Sequence, residues 1–565
     1  MDKKPKTPAK DILGYLLLGI SVMMLFKSLM LCFSNDIWYD ELFTVGMIEH
    51  SYGDLIAFTA RDVHPPLYYC IVKFFVDLCK LIWNQASPVA AAKAVSVLPY
   101  FILLLYSLTL IRKRFGIFTG GLFLFCVAAM PQLSGYMVEV RMYSFALLFV
   151  TAAFLHAHEA VMAEQFTGLA ADRQEADKCG GNKFLRAHMR KVHGAALVCY
   201  SLAAAYTQYF ACVAVVMVYL YALLVFMIRD RGRIKEWFLW TIVCVVGYAP
   251  WLYALYTQMT TVKENYWILP LTWRSLGGCV KFLMKPAFTN GTLSVVLAVV
   301  LFFVYSAVMV WMAVSLYQGI HRRKGDNEAK LFHNSRENSL QVITSAMFAL
   351  AGVGVLGGLV LFGFIASILF RPVFVYRYMI PATGCFWLGF AQGVNFLFDR
   401  TVDSGRRQVW TRRILPGVIT VFLVVIGLRD YRAFLGEEEY KAVLMKQTET
   451  ALSSIAPQDV VIYNFDQVQA VTSYYLDRET DSYLWGLTAE TLIQEIVRPY
   501  GSIEETAQII KWCRDGRNVW FIGSFNSRDE IAAEWTKEGL QVEETGSYLL
   551  ERYWFNLYKI SAAGQ

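Results

Sequence analysis

Charge is what this sequence has least of. Of its 565 residues only 17% are Asp, Glu, Lys or Arg, against 56% hydrophobic and 15% aromatic. A soluble globule of that composition would leave much of its apolar surface in water, so the chain reads as a polytopic membrane protein. Disulfide and metal frameworks are missing too. The eleven cysteines are scattered, mostly inside apolar runs and without a Cys-x-x-Cys pair, as small buried hydrophobes would be. No basic patch with interleaved aromatics accompanies the formal net charge of +7, which argues against a nucleic-acid partner. The Lys and Arg residues fall in short clusters between apolar runs, the pattern of loops that fix membrane orientation.

What is present is a succession of long apolar runs. The first, residues 12–33, follows Lys3, Lys4, Lys6 and Lys10. It is too long for a signal peptide and lacks a small-residue cleavage site, so an uncleaved span is expected, with the N-terminus cytoplasmic and Asn35 outside. The positive-inside rule carries orientation along the chain. The run before Arg112-Lys113-Arg114 descends and 117–133 returns. Residues 142–163 descend to a charged loop containing Arg173, Lys178, Lys183, Arg186, Arg190 and Lys191. Residues 194–207 ascend, and 209–228 descend to Arg229-Asp230-Arg231-Gly232-Arg233. Residues 237–256 rise to an outer loop, 257–290, with Lys263, Trp267, Arg274, Lys281 and Lys285. Residues 294–316 descend to His321-Arg322-Arg323-Lys324, and 342–369 ascend. Residues 373–398 descend to Arg400, Arg406, Arg407, Arg412 and Arg413, and 415–428 ascend. The sum is about eleven spans in a cell (plasma) membrane. Residues 67–83 are left out of it, because a crossing there would put Arg112 to Arg114 outside. Lys73, Asp77 and Lys80 form one polar stripe on that segment, which suits a helix lying at the outer interface.

From Arg429 the composition becomes that of a soluble α/β domain, 429–565, placed outside by the span count. Strands are expected at 460–465, 519–523 and 553–560, and helices at 503–513 and 527–539. No glycine-rich phosphate loop follows any of the strands, so nucleotide binding is not assigned. A lid or acceptor-docking module is the plainer role.

The chemistry concentrates in the first external loop, 34–94. It holds Trp38-Tyr39-Asp40-Glu41 and Arg61-Asp62-Val63-His64-Pro65-Pro66-Leu67-Tyr68-Tyr69. Asp40 and Glu41 are adjacent, so on a helix they diverge by roughly 100° and cannot share a proton; one acts while the other orients or caps. Asp62 and His64 alternate, so an extended backbone points both to one side, and the two prolines open the next helix. A cap role for Asp40 or Asp62 is the bland alternative. Four such groups together at a membrane surface favour function.

These motifs resemble the first external loop of the protein O-mannosyltransferases and their bacterial relatives, GT-C fold glycosyltransferases of the family 39 type, with the aminoarabinose transferases of lipid A as more distant cousins. The likeness covers roughly residues 12–428. It extends to Glu139-Val140-Arg141-Met142-Tyr143-Ser144, similar to a family Glu-x-Arg-x-Tyr, and to Arg377-Tyr378 with Pro381. Tyr206-Thr207-Gln208-Tyr209 departs from the Thr-His-Tyr that relatives often carry, and Leu67-Tyr68-Tyr69 replaces the eukaryotic Leu-Gly-Lys, which favours the bacterial branch. No MIR-like pattern is visible in the C-terminal unit.

The resemblance implies transfer of a hexose or pentose from a polyprenyl-phosphate donor to an extracytoplasmic acceptor, a cell-envelope glycan, lipid or protein; a single displacement, which needs one base and no covalent intermediate, would invert the anomeric carbon. It implies catalytic roles among Asp40, Glu41, Asp62 and His64, with Asp40 as the base. Arg141 and Arg377, with Arg371 in reserve, would bind the donor phosphate, guanidinium forks suiting a phosphate better than lysines do. Tyr143 and Tyr378 would contact substrate. The plainer reading makes these arginines helix-end anchors. No cofactor is required; a divalent ion, were one used, would find suitable ligand types in Glu41, Asp62 and His64. His156 and His158 read as polar packing. A lipid-linked glycan ligase or polymerase is the nearest alternative. A lipid or sugar transporter is disfavoured, because the spans carry few ionisable groups and no repeat is visible.

Overall fold

The structure, a computed structural model, describes residues 8–34, 36–162, 181–261, 268–325, 333–399, 414–486 and 492–563. Lys3, Lys4, Lys6, Asn35, Arg173, Lys178, Lys263, Trp267, Arg400, Arg406, Arg407, Arg412 and Arg413 lie outside these residues, as do the side chains of Lys183, Arg186, Arg322, Arg323 and Lys324. Among the described residues, seven helices are long and apolar enough to cross a bilayer: Ala9–Leu31, Pro88–Phe115, Tyr143–Met162, Tyr209–Arg229, Arg231–Thr260, Gly291–His321 and Gln341–Leu369. Spanning the hydrocarbon takes about 20 apolar residues, and these helices meet that by length and composition. The chain is therefore a membrane-embedded helical protein.

The other expected spans also fall on helices, with different bounds. Residues 117–133 are a 13-residue helix, Ile117–Ala129, buried along its whole length. It crosses Pro8–Leu31 at two glycines: a Cβ on Gly14 would lie 2.7 Å from the Phe118 nitrogen, and one on Gly121 would strike the Gly14 carbonyl. Only small residues allow backbones to approach so closely. Residues 194–207 are mainly the end of Gly181–Ala205. Residues 373–398 do not begin as helix, which corrects the sequence expectation. Pro372 bars a helix through Arg371, and Ser367 Oγ accepts hydrogen bonds from the Val373 and Phe374 amides at 3.1 and 3.2 Å. A 3-10 turn at Tyr376–Met379 then leads into Ile380–Asp399. Residues 415–428 open a helix that continues unbroken to Leu452, so the change of composition at Arg429 falls inside an element.

The segment 67–83 is a 16-residue helix, Leu67–Ile82, outside the set of seven. Its Lys73 pairs with Asp77 at 3.1 Å and donates to the Ile48 carbonyl at 3.0 Å. That end of the polar stripe thus faces the neighbouring loop, while Phe74, Leu78 and Leu81 are exposed.

The C-terminal domain is a six-stranded sheet in the order β3-β2-β1-β4-β6-β5. Its strands are β1 Val460–Tyr463, β2 Asp481–Trp485, β3 Gly501–Ile503, β4 Val519–Gly523, β5 Leu540–Leu550 and β6 Tyr553–Ala562. The first four are mutually parallel, and β6 and β5 run antiparallel beside β4. The expected helix at 503–513 starts later, at Thr506, because 501–503 pairs with β2 as a strand.

This domain sits on the first external loop. A Cβ on Gly46 would press on Ile496 at 2.8 Å. His50 Nε2 meets the Ile496 carbonyl at 2.9 Å, Arg61 makes a fork to Glu495, and Arg478 pairs with Glu49 at 2.8 Å. The C-terminal domain and the first external loop are thus packed together.

Candidate functional site

The site is built on a short helix, Tyr39–Met47, lashed to the strip Glu139–Arg141. Trp38 is extended, and its N–H donates to Glu41 Oε2 at 3.2 Å, closing the helix start. Glu41 Oε1 accepts from the Val140 amide at 2.8 Å, Thr44 Oγ1 donates to the Val140 carbonyl at 2.9 Å, and Arg141 Nη1 donates to the Asp40 carbonyl at 2.8 Å. Both Glu41 oxygens therefore serve backbone amides, and Glu41 is a tie rather than an open reagent. Asp40, turned the other way as the helix period requires, pairs its Oδ2 with Arg377 Nη1 at 2.9 Å. Among the described residues no N–H is aligned on that oxygen as a hydrogen bond.

Asp62 and His64 meet as their alternation predicts, Oδ2 to Nδ1 at 3.1 Å. Burial works to raise Asp62, but the hydrogen bond and charge of His64 outweigh it and hold the carboxyl below its ordinary value. Burial pushes His64 down, and Asp62 only partly restores it. The pair at neutral pH is a carboxylate accepting from a neutral imidazole. Leu67, the first residue of the following helix, donates its amide to the Tyr206 carbonyl at 3.0 Å. Nearby in sequence, Gln208 is buried, and neither of its amide atoms is hydrogen-bonded among the described residues.

Arg141 is buried, at 5% exposure. Burial opposes its charge, and the oxygens of Tyr69, Asp40, Tyr143 and Asp62 more than offset that. Its field links the Asp40 and Asp62–His64 groups. Tyr143 lies edge-on to Tyr136 at 5.2 Å, its hydroxyl without a hydrogen-bond partner among the described residues, and Tyr378 stacks on Phe210 at 4.8 Å.

Above these groups is a cavity of about 530 Å³ between the membrane helices and the C-terminal domain. Arg377, Glu41 and Glu139 line it with Trp38, Tyr136 and Tyr376; Asp40, Asp62, His64, Arg141, Arg371, Tyr143 and Tyr378 do not. Gly278 makes room for Tyr376, whose hydroxyl a Cβ there would strike. The far wall holds residues that no motif announced: Lys93, Glu438, Lys441, Glu551 and Arg552. Lys93 pairs with buried Asp36 at 2.8 Å, and Lys441 with Glu438 at 2.9 Å and Glu551 at 3.4 Å. A lone lysine in an apolar run was the one available signal for this group.

Burial and the nearby Glu41 charge push Glu139 up to about 8. Burial and Asp36 push Glu551 up to about 9. Both carboxyls keep protons in the folded protein that the unfolded chain releases near the ordinary 4.5. Their stabilisation is thus complete below that value and is lost as pH rises through about 8 and 9. Asp36 has the opposite sign: burial opposes its charge, but Lys93 outweighs that and holds it low, so its contribution is lost only on acidification. Glu551→Gln keeps a donor and cannot titrate. Thermal unfolding in detergent should fall between pH 6 and pH 9 less steeply in this variant than in wild type; identical slopes would remove Glu551 as a source.

Among the described residues no group of three His, Cys, Asp or Glu is arranged to hold a metal ion. Glu41, in particular, spends its oxygens on backbone amides rather than joining Asp62 and His64. His156 and His158 are engaged elsewhere, His156 with His193 and Tyr106 and His158 with Tyr221. The chain matches no protein-family model and no curated protein sequence.

Proposed function

We propose that this protein is an integral-membrane glycosyltransferase that moves a sugar from a polyprenyl-phosphate donor to an extracytoplasmic acceptor. The observation that carries this reading is the Asp40–Arg377 pair at 2.9 Å beside a cavity lined by aromatic and carboxylate side chains. Rings and carboxylates suit a sugar, and a guanidinium suits a phosphate. Together with the motifs of the first loop, the arrangement supports a GT-C architecture of about eleven spans, N-terminus cytoplasmic and C-terminal domain outside.

In the reaction proposed, the acceptor oxygen attacks the anomeric carbon from the face opposite the phosphate. Its proton passes to the Asp40 carboxylate, the anomeric C–O bond breaks, and the electron pair leaves on the phosphate. Arg377 stabilises that charge as it develops. Arg141, through its bond to the Asp40 carbonyl, positions the helix that presents the base. The Asp62–His64 pair adds to the field around Arg141.

Arg377→Ala should therefore weaken binding of sugar-free polyprenyl phosphate by about 10- to 100-fold, the value of one to two charge-assisted hydrogen bonds. Titration of the purified protein in nanodiscs measures this. Equal affinity in variant and wild type would take Arg377 out of the phosphate site.

A further inference from the structure

The β5–β6 hairpin ends in a two-residue turn, Glu551-Arg552, between paired Leu550 and Tyr553. Glu551 has φ +53°, at a turn position where glycine is the usual choice. A left-handed backbone is unfavourable for a residue that carries a Cβ, so something must hold it there. The holding is visible: its side chain is buried against Lys441 at 3.4 Å and beside Asp36. The turn is pinned into the cavity by its first residue, and the second residue is what it presents.

Arg552 lies over the Trp38 ring with its guanidinium carbon 3.9 Å from the centroid. It is exposed, and it lines the cavity. Glu41, Glu139, Asp430, Glu437, Glu438 and Glu551 line the same cavity, yet none forms an ion pair with Arg552 among the described residues. Arg377 stands over the same indole at 5.9 Å. Two guanidiniums share one aromatic platform; Arg377 already faces the Asp40 carboxylate at 2.9 Å, while Arg552 has no ion pair among the described residues, so an anion reaching the platform would supply the partner that Arg552 lacks. Stacking also leaves the in-plane N–H fork of a guanidinium available for a bidentate acceptor.

We propose that Arg552 is a second phosphate-binding residue of this cavity, so that the C-terminal domain is part of the ligand site rather than only its cover. The inference rests on the transferase reading for the identity of the ligand. The phosphate is either that of the lipid donor or one carried by the acceptor.

The test uses full-length protein in nanodiscs, wild type against Arg552→Gln and Arg552→Lys, with unfolding temperature as the folding control. Sugar-free polyprenyl phosphate is titrated first, with uncharged polyprenol as reference; inorganic phosphate is titrated second, with polyprenyl phosphate saturating. If Arg552 holds the donor phosphate, Arg552→Gln weakens the first titration by about 10-fold, the value of a charge-assisted hydrogen bond. If it holds an acceptor phosphate, only the second titration weakens by about that factor. In either case Arg552→Lys, which keeps the charge without the fork, recovers part of the loss. Unchanged affinities in both titrations, with wild type binding polyprenyl phosphate well, overturn the assignment of Arg552 and leave the transferase reading standing. A wild type that binds polyprenyl phosphate no better than polyprenol overturns that reading and this inference with it.

Discussion

Asp40→Asn is expected to lower sugar transfer by about 100- to 10,000-fold, the range over which a positioned general base contributes. The substitution is nearly isosteric; it gives up the carboxylate that faces Arg377 at 2.9 Å but keeps the backbone carbonyl that accepts from Arg141 at 2.8 Å. That bond survives any change of side chain. The variant should fold, bind the lipid donor and fail at the proton transfer, so the loss belongs in kcat rather than in donor affinity. Activity within a few-fold of wild type would move the base elsewhere, and the Asp62–His64 pair would be the next place to look.

Glu41→Ala, one residue along, should do something different. It removes the acceptor for two backbone amides, Trp38 at 3.2 Å and Val140 at 2.8 Å, in a side chain only 4% exposed as a residue. Each buried donor left unsatisfied costs about 1–3 kcal/mol, so the sum is about 4 kcal/mol, a large part of a typical stability of about 5–15 kcal/mol. Glu41→Gln should recover only part of it, because one of the two oxygens becomes an amide nitrogen facing an N–H. Thermal unfolding in detergent separates these variants, and a wild-type midpoint for Glu41→Ala would show that the strip Glu139–Arg141 is held by other contacts. The neighbouring carboxylates thus have distinct expected failures, one in chemistry and one in folding.

The adjacency of Asp40 and Glu41 already required this division, since helix geometry forbids them a common partner. The Asp62–His64 contact was legible for the same kind of reason, local backbone period. So were the apolar runs, whose length and composition need no tertiary information. The helix starting at Ile380 rather than 373 was less legible, because the extended segment before it depends on Ser367, several residues upstream. The polar stripe of Leu67–Ile82 was seen but not its target, since Lys73 reaches a carbonyl in another element. The far wall of the cavity was hidden most completely. Lys93 and Asp36 are distant in sequence, and Glu551 and Arg552 sit in an ordinary hairpin turn that becomes informative only once the C-terminal domain is docked over Trp38. β5, with Glu543, Glu544 and Thr545 in its middle, gave no apolar run because it is an edge strand.

The measurement that bears most directly on the transferase reading is mass spectrometry of the lipid that copurifies in mild detergent, wild type against Asp40→Asn. A polyprenyl-phosphate hexose or pentose enriched on the inactive variant is the expected result, since a donor that binds but cannot react accumulates. Ordinary phospholipid alone on both proteins, with no binding of added polyprenyl phosphate, would contradict the reading and leave Asp40 without a catalytic role.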